Sequence, residues 1–132
     1  MRAKILNASA GSGKTYQLAY KYVRDVIDQP GLYRHILAVT FTNKATEEMK
    51  SRILKEIHRL ASGGASPYLE NLCRELSLDE RSVRKRAAEV RSKILHDYSR
   101  FTVLTIDTFF QRILRAFIKE LGIDLNYNVE IE

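Results

Sequence analysis

Apolar positions along the chain fall into short continuous runs separated by stretches of helical spacing. Ala3 to Asn7 form an apolar run with the length of a buried strand. From Lys14 the spacing becomes helical. Leu18, Tyr22 and Val26 make one row, Ala19, Val23 and Ile27 the next, and Pro30-Gly31 ends the segment. "HILAVTF", residues 35 to 41, reads as a second buried strand. The helix after it takes Asn43 as its cap, with Glu47 and Glu48 suited to the positive end of the dipole, and buries Ala45, Met49, Ile53 and Ile57. "ASGGASP", residues 61 to 67, is a connector. A third helical zone runs from Tyr68 to Tyr98 and breaks near Ser77, where Ser77 and Glu80 have capping-box spacing. Its apolar stripe is Val83, Ala87, Val90 and Ile94, opposite Arg81, Arg84, Lys85 and Arg91. "FTVLTI", residues 101 to 106, is a third strand. Asp107 opens a helix whose expected core face is Phe110, Ile113, Leu114, Phe117 and Leu121, stopped by Gly122, and "YNVEIE" closes the chain as a further strand. This alternation predicts an α/β fold, a parallel sheet with flanking helices.

The chain has 132 residues, 45% of them hydrophobic, enough for one domain with its own core. No run is long and apolar enough to span a bilayer, and the N-terminus lacks the pattern of a signal peptide. Cys73 is the single cysteine, so no intrachain disulfide can form. A cytoplasmic protein without membrane contact is the expectation. Lys and Arg outnumber Asp and Glu by 22 to 16, a net charge of +6, which suits an anionic partner without requiring one.

The charge matters more once "NASAGSGKT", residues 7 to 15, is placed between the first strand and the first helix. Strand, glycine-bearing loop and helix are the context a phosphate loop requires. Gly11 and Gly13 let backbone N–H groups converge on phosphate oxygens, with Ala10 and Ser12 in the same loop. Lys14 sets an ammonium against the terminal phosphates, and Thr15 offers a hydroxyl to Mg²⁺. The helix aims its positive end at the same charge. Ala8 stands where the common pattern has its first glycine, and a small residue still permits the loop's entry.

Two further segments lie at strand ends, the edge where open α/β sheets bind ligands. In "VTFTNKATEEM", Thr40, Thr42 and Asn43 offer short polar groups and Phe41 a ring for base stacking. The plainer reading has Thr and Asn starting the helix and Phe41 in the core, and the residues alone favour it. In "TIDTFF", Asp107 admits three readings: a helix cap, an acid holding Mg²⁺ through water, or a group facing a polynucleotide. The second would make the chain a complete small P-loop NTPase or kinase.

Taken in order, the three segments resemble the N-terminal motor domain of UvrD/Rep-type superfamily 1 DNA helicases. The first motif there reads like A-x-x-G-[ST]-G-K-T, so Ala8 is that family's own choice. "ILAVTFTNKATEEMKSRI" is a very close match to the next motif, and "TIDTFFQRILRAF" resembles the T-x-H-[ST]-F segment. The position of "ILNASAGSGKT" almost at the start leaves no room for an upstream glutamine motif. Together with the long gap between the second and third motifs, this points to the RecB/AddA-like branch. The match covers roughly residues 4 to 61 and 101 to 131; residues 62 to 100 match nothing specific and read as a helical insertion.

The resemblance implies a partial three-layer RecA-like P-loop NTPase core and a motor that couples ATP hydrolysis to movement along single-stranded DNA. Carried over, Ala10, Gly11, Ser12, Gly13, Lys14 and Thr15 would hold ATP and Mg²⁺. Thr40, Phe41, Thr42, Asn43 and Thr105 would lie along the DNA. The family has His where this chain has Asp107, and a carboxylate cannot replace a His donor to phosphate. The family's Asp-Glu motif for Mg²⁺ and water has no counterpart, because the only Asp-Glu pair, Asp79-Glu80, stands at a helix start. The chain is therefore expected to be one domain, residues 1 to 132, of a longer helicase. Its partners would be a second motor domain of the same chain and, as in that branch, a nuclease domain or partner subunit. Such a piece would not unwind DNA alone. A non-catalytic nucleic-acid-binding domain with a degenerate loop is a third class, set against by the intact Lys14 and Thr15.

The basic row Arg81, Arg84, Lys85, Arg86, Arg91 and Lys93 is interleaved with Asp79, Glu80, Glu89 and Asp97, as on a solvated helix face. His35, His58 and His96 lack ligand spacing, so no metal beyond Mg²⁺ is expected. Cys73 is expected to be a buried small residue, and the tyrosines fall mostly on helical core rows.

Overall fold

A computed structural model describes the backbone of residues 4–8 and 12–122 and the side chains of residues 16–122. Within these bounds β1 (Lys4–Ala8) leads to α1 (Ser12–Asp28), and β2 (Ile36–Thr40) to α2 (Asn43–Ser62). Two more helices follow, α3 (Leu69–Leu76) and α4 (Glu80–His96), before β3 (Thr102–Thr105) and α5 (Ile106–Glu120). Short 3-10 turns, Pro30–His35 and Tyr98–Arg100, lead into β2 and β3. The three strands form one parallel sheet in the order β1-β2-β3, with Leu6 opposite Ala38 and Ala38 opposite Val103. The expected closing strand at 127 to 132 lies outside the described residues.

The main core lies on one face of the sheet. Ile36, Ala38 and Val103 meet Ala19, Tyr22, Val23, Val26 and Ile27 of α1, Met49, Ile53 and Ile57 of α2, and the whole Val83, Ala87, Val90, Ile94 stripe of α4. The rows expected on α1 and α4 are thus buried, except that Leu18 is only partly so; on α2 Leu60 is buried too, while Ala45 stays partly exposed. Strand side chains alternate, so Leu37 and Val39 belong to the other face. There α5 packs on β2 and β3, and Val39 and the helix's Ile118 are buried apart from the main core.

The α5 face drawn from the sequence is reversed in outcome. Phe110 (55%), Ile113 (48%), Phe117 (58%) and Leu121 (57%) are exposed, and Leu114 is only partly covered. The spacing that identified an apolar face is intact; the described residues provide nothing to lie against it.

Residues 62 to 100 are helical as expected, and Ser77, in the left-handed region at φ 54, separates α3 from α4. The α4 cap is Asp79 rather than Ser77: its side chain accepts from the Ser82 N–H at 2.8 Å. Thr42, not Asn43, caps α2, and Thr105, not Asp107, caps α5. At these two starts the side chain one or two residues nearer the strand already has the extended backbone a cap requires.

The basic row of α4 divides. Arg84 donates to the carbonyls of Leu60 (3.1 Å) and Gly64 (3.0 Å) and pairs with Glu80 at 3.0 Å. Arg86 donates to the Asp28 carbonyl at 3.0 Å and to that of Ile27. These two arginines satisfy carbonyls at the C-terminal ends of α2 and α1, which have no partner inside their own helices. Arg81 and Lys85 remain on the solvated face. Glu56 on α2 is fully buried and accepts from Arg59 (3.4 Å) and from Ser66 of the connector (3.2 Å). Cys73 is only partly buried.

Candidate functional site

In a parallel sheet the carboxyl ends of all strands share one edge. β1 therefore ends at that edge and α1 begins from Ser12, while Phe41 to Asn43 leave it after β2 and Thr105 to Asp107 after β3. Because β2 lies between its neighbours, the Phe41–Asn43 turn stands between the end of β1 and Asp107. The two outer strands are about 10 Å apart at the usual strand spacing. Segments far apart in the chain are thus brought to one edge.

At the first of them, α1 opens at Ser12, inside the glycine motif, and continues for 17 residues with no acidic residue in its first turn. The partial positive charge of that terminus is left for an anion, which fits the phosphates of a nucleotide. Gly13, Lys14 and Thr15 lie in this first turn; their side chains, and Ala10 and Gly11 altogether, lie outside the described residues.

At the second, Thr40 is buried at 1% exposure, so its hydroxyl faces the protein and not a ligand. Thr40 Oγ1 lies 2.6 Å from Thr46 Oγ1 on α2, and Thr46 Oγ1 is 3.1 Å from the Thr42 carbonyl. One consistent arrangement has Thr40 donating to Thr46 and Thr46 donating to Thr42. The Thr42 hydroxyl accepts from the Ala45 N–H at 3.0 Å, closing the cap. This network fixes the turn and leaves Phe41 standing out at 50% exposure beside exposed Thr42 and Asn43. An aromatic ring held outward by a rigid turn is a surface on which a planar group can stack. Phe41 is not in the core.

At the third, the Thr105 hydroxyl accepts from the Thr108 N–H (3.2 Å) and donates to the Thr108 hydroxyl (3.0 Å). Thr105 is thus committed to capping, and Asp107 is left exposed in the first turn of α5. The cap reading of Asp107 is thereby removed.

Beside this edge α1 carries a cluster the sequence did not reveal as one. Tyr16 and Tyr20 meet the Tyr68 ring edge-on, with centroids 5.1 and 5.2 Å apart, and the Arg52 guanidinium lies 5.5 Å from the Tyr16 centroid. Tyr68 is buried and its hydroxyl donates to the Tyr16 carbonyl at 3.1 Å. Burial pushes the Tyr20 hydroxyl up to about 12, with the nearby Glu75 carboxylate adding to it, and burial moves Tyr68 upward too. Arg24 of α1 reaches Glu75 of α3 at 3.1 Å, so α3 is fastened to the helix that leaves the glycine loop. Among the described residues no group of three or more His, Cys, Asp or Glu could hold a metal ion. None of the described helices is long and apolar enough to cross a membrane.

Comparison with known proteins bears on the same segments. The family model described as UvrD/REP helicase N-terminal domain matches residues 2–132. The RecBCD enzyme subunit RecB of Escherichia coli (strain K12) is 31% identical over 127 residues, covering 90% of this chain and 11% of RecB. RecB of Haemophilus influenzae is 30% identical over 142 residues, 92% of this chain and 11% of RecB. The exonuclease/helicase subunit RexA of Lactococcus lactis subsp. cremoris (strain MG1363) is 28% identical over 125 residues, 95% of this chain and 9% of RexA. The chain thus spans about a tenth of the length of these relatives. No solved structure matches it. With the match running through all three edge segments, the chain belongs to the UvrD/REP helicase N-terminal domain family.

Proposed function

We propose that the chain is the ATP-binding lobe of an ATP-dependent DNA helicase that moves along single-stranded DNA in repair or recombination. The observation that carries this reading is the shared edge: an acid-free helix N-terminus behind a glycine motif, beside a turn built to hold Phe41 outward. Gly11, Gly13, Lys14 and Thr15 would hold ATP and Mg²⁺, with the α1 dipole opposing the phosphate charge. Bound Mg²⁺–ATP would supply the phosphoryl chemistry. This chain's own contribution is to cradle the phosphates and to couple them, through β1 and β2, to the Phe41 turn. Phe41, Thr42 and Asn43 would touch the DNA strand. Thr40 and Thr105 would position it, since their hydroxyls are engaged within the protein.

The same reading makes this domain half of a motor in a complete three-layer RecA-like core. Two features support it. Parallel sheets are ordinarily covered on both faces, and here the second face carries α5 alone among the described residues. Four half-exposed apolar side chains on α5 and its C-cap leave roughly 400 Å² of apolar surface, the size of the largest patch on a typical monomer and often a functional one. Their proposed cover is the remainder of the same polypeptide, consistent with relatives of which this chain spans about a tenth. The domain alone would then bind ATP and turn it over slowly or not at all.

Calorimetry with Mg²⁺–ATP should give measurable binding that disappears in Lys14→Ala, and absence of binding to the unmodified chain would remove the reading. Steady turnover by the 132-residue chain that collapses in Asp107→Ala would instead favour a complete small P-loop NTPase. In the full-length protein Phe41→Ala should weaken single-strand binding by about tenfold, the order of one lost stacking contact.

A further inference from the structure

The opposite edge of the sheet, where strands begin, holds a cavity that the helicase reading does not use. Both 3-10 turns lie at this edge, since each leads directly into a strand. Between them and the end of α4, a cavity of about 480 Å³ is lined by Tyr33, Arg34, Lys93, His96, Asp97 and Arg100, together with Ser92. Three fixed cations from three different elements face a single carboxylate.

That carboxylate organises the cavity. Asp97 accepts from the buried Tyr33 hydroxyl at 2.9 Å and forms an ion pair with Arg34 Nε at 3.0 Å, whose N–H donates to the Tyr33 hydroxyl at 3.2 Å, and Arg100 Nε stands 3.9 Å away. Each guanidinium approaches Asp97 through Nε, so its two terminal nitrogens stay available as a donor fork. Lys93 Nζ has no ion-pair partner among the described residues. His96 Nδ1 is 2.7 Å from the Ser92 carbonyl, which can only accept, so Nδ1 carries the proton, and Nε2 has no hydrogen-bond partner among the described residues. Lys93 and His96 sit in the last turn of α4, where the helix dipole favours positive charge. The dipole does not account for Arg34 and Arg100, which come from outside that helix. With Asp97 subtracted, the cavity holds two uncompensated cations and two preset forks.

We propose that this cavity is a second phosphate-binding site, which takes the phosphodiester backbone of a DNA strand at the edge opposite the glycine loop. Arg34 and Arg100 would grip one phosphate through their forks and Lys93 the adjacent one, with His96 Nε2 at the rim. The choice of DNA as the polymer rests on the helicase reading; the phosphate chemistry does not. A contact at this edge would let the domain hold a DNA segment distinct from the one under Phe41.

The test uses the 132-residue chain, inorganic phosphate and a fluorescein-labelled oligothymidylate. Anisotropy reports affinity and its salt dependence, and the His96 imidazole resonances report occupancy of this cavity. Lys93→Gln with Arg100→Gln removes two cations and leaves Asp97 hydrogen-bonded to Tyr33 and ion-paired with Arg34. It should weaken oligonucleotide binding about tenfold near 0.1 M salt and lower the salt slope by roughly 1.4, the value for two single-strand phosphates. Arg81→Gln with Lys85→Gln, an equal charge loss on the exposed side of α4, should change affinity by less than about twofold. In Lys14→Ala the His96 response should persist, which separates this site from the glycine loop. Equal losses in the two double variants would overturn the proposal. So would a His96 shift produced by inorganic phosphate but not by the oligonucleotide, or one abolished by Lys14→Ala. Failure of the unmodified chain to bind ATP would count against the helicase reading and leave the His96 result standing.

Discussion

Replacing Thr40 by valine removes one hydroxyl from the interior and hardly alters the side chain's shape. The consequence follows from the chain of hydrogen bonds it heads. Thr40 Oγ1 is 2.6 Å from Thr46 Oγ1, and both residues are buried. In Thr40→Val, Thr46 keeps its bond to the Thr42 carbonyl at 3.1 Å but loses its donor, which leaves a buried lone pair without a partner. A group stranded this way costs about 1–2 kcal/mol. Thr46→Val strands the Thr40 hydroxyl less completely, because the Leu104 carbonyl lies 3.4 Å away as an alternative acceptor. Its expected cost is about 1 kcal/mol. The double variant removes both ends of the bond, so the two costs should not add; a coupling of about 1 kcal/mol is expected. Urea unfolding of the four proteins, followed by far-ultraviolet circular dichroism, measures the cycle. Equal denaturant slopes throughout would certify that only stability has changed. Strict additivity within about 0.3 kcal/mol would refute the hydrogen-bonded pair and, with it, the account of how the Phe41 turn is held. Thr40→Val should also weaken single-strand binding in the full-length protein while Thr40→Ser does not, because the effect passes through the turn.

Arg84→Ala should destabilise the chain by about 2 kcal/mol, through loss of a charged donor to the Leu60 and Gly64 carbonyls. Arg81→Ala, on the solvated face of the same helix, should stay within about 0.5 kcal/mol, and similar melting shifts for both would be contrary. Phe110→Ser with Phe117→Ser should leave the melting temperature of the 132-residue chain nearly unchanged and reduce its binding of anilinonaphthalene sulfonate. In the full-length protein the same pair should cost about 3 kcal/mol or more, and no difference between the two contexts would speak against a covered α5 face. Alkaline pH provides a further check. Tyr20 is raised from 10.0 to about 12 by burial, so the folded state retains a proton that the unfolded state gives up. The stability this represents is whole below about pH 10 and declines as pH rises from there through about 12. Ultraviolet titration should therefore show Tyr20 ionising in step with unfolding, and free titration near its ordinary value with the fold intact would refute its burial.

Local patterning was enough to place most of the elements and the edge on which the chemistry stands. Rows of period 3.6 located α1, α2 and α4, short apolar runs located the strands, and a parallel sheet then had to bring the glycine loop, the Phe41 turn and Asp107 to one side. These signals sufficed because burial imposes its period on the residues wherever an element touches the core. Matters of partnership, by contrast, waited for the folded chain. Periodicity shows that a helix has an apolar face, but not whether anything lies against it, so α5 read as core and is half exposed. Thr40 was a DNA contact only through the family resemblance, and the strand-end pattern could not say where its hydroxyl points; the arrival of Thr46 from α2 turned it inward. Arg84 and Arg86 read as solvated charge, since the carbonyls they satisfy are 20 to 59 positions away in the chain. Asp97 read as one of several acids breaking up a basic row, and became the centre of a cavity only when the turn at Tyr33 folded back beside it. In each case the deciding contact is non-local, and a single sequence carries no local trace of it.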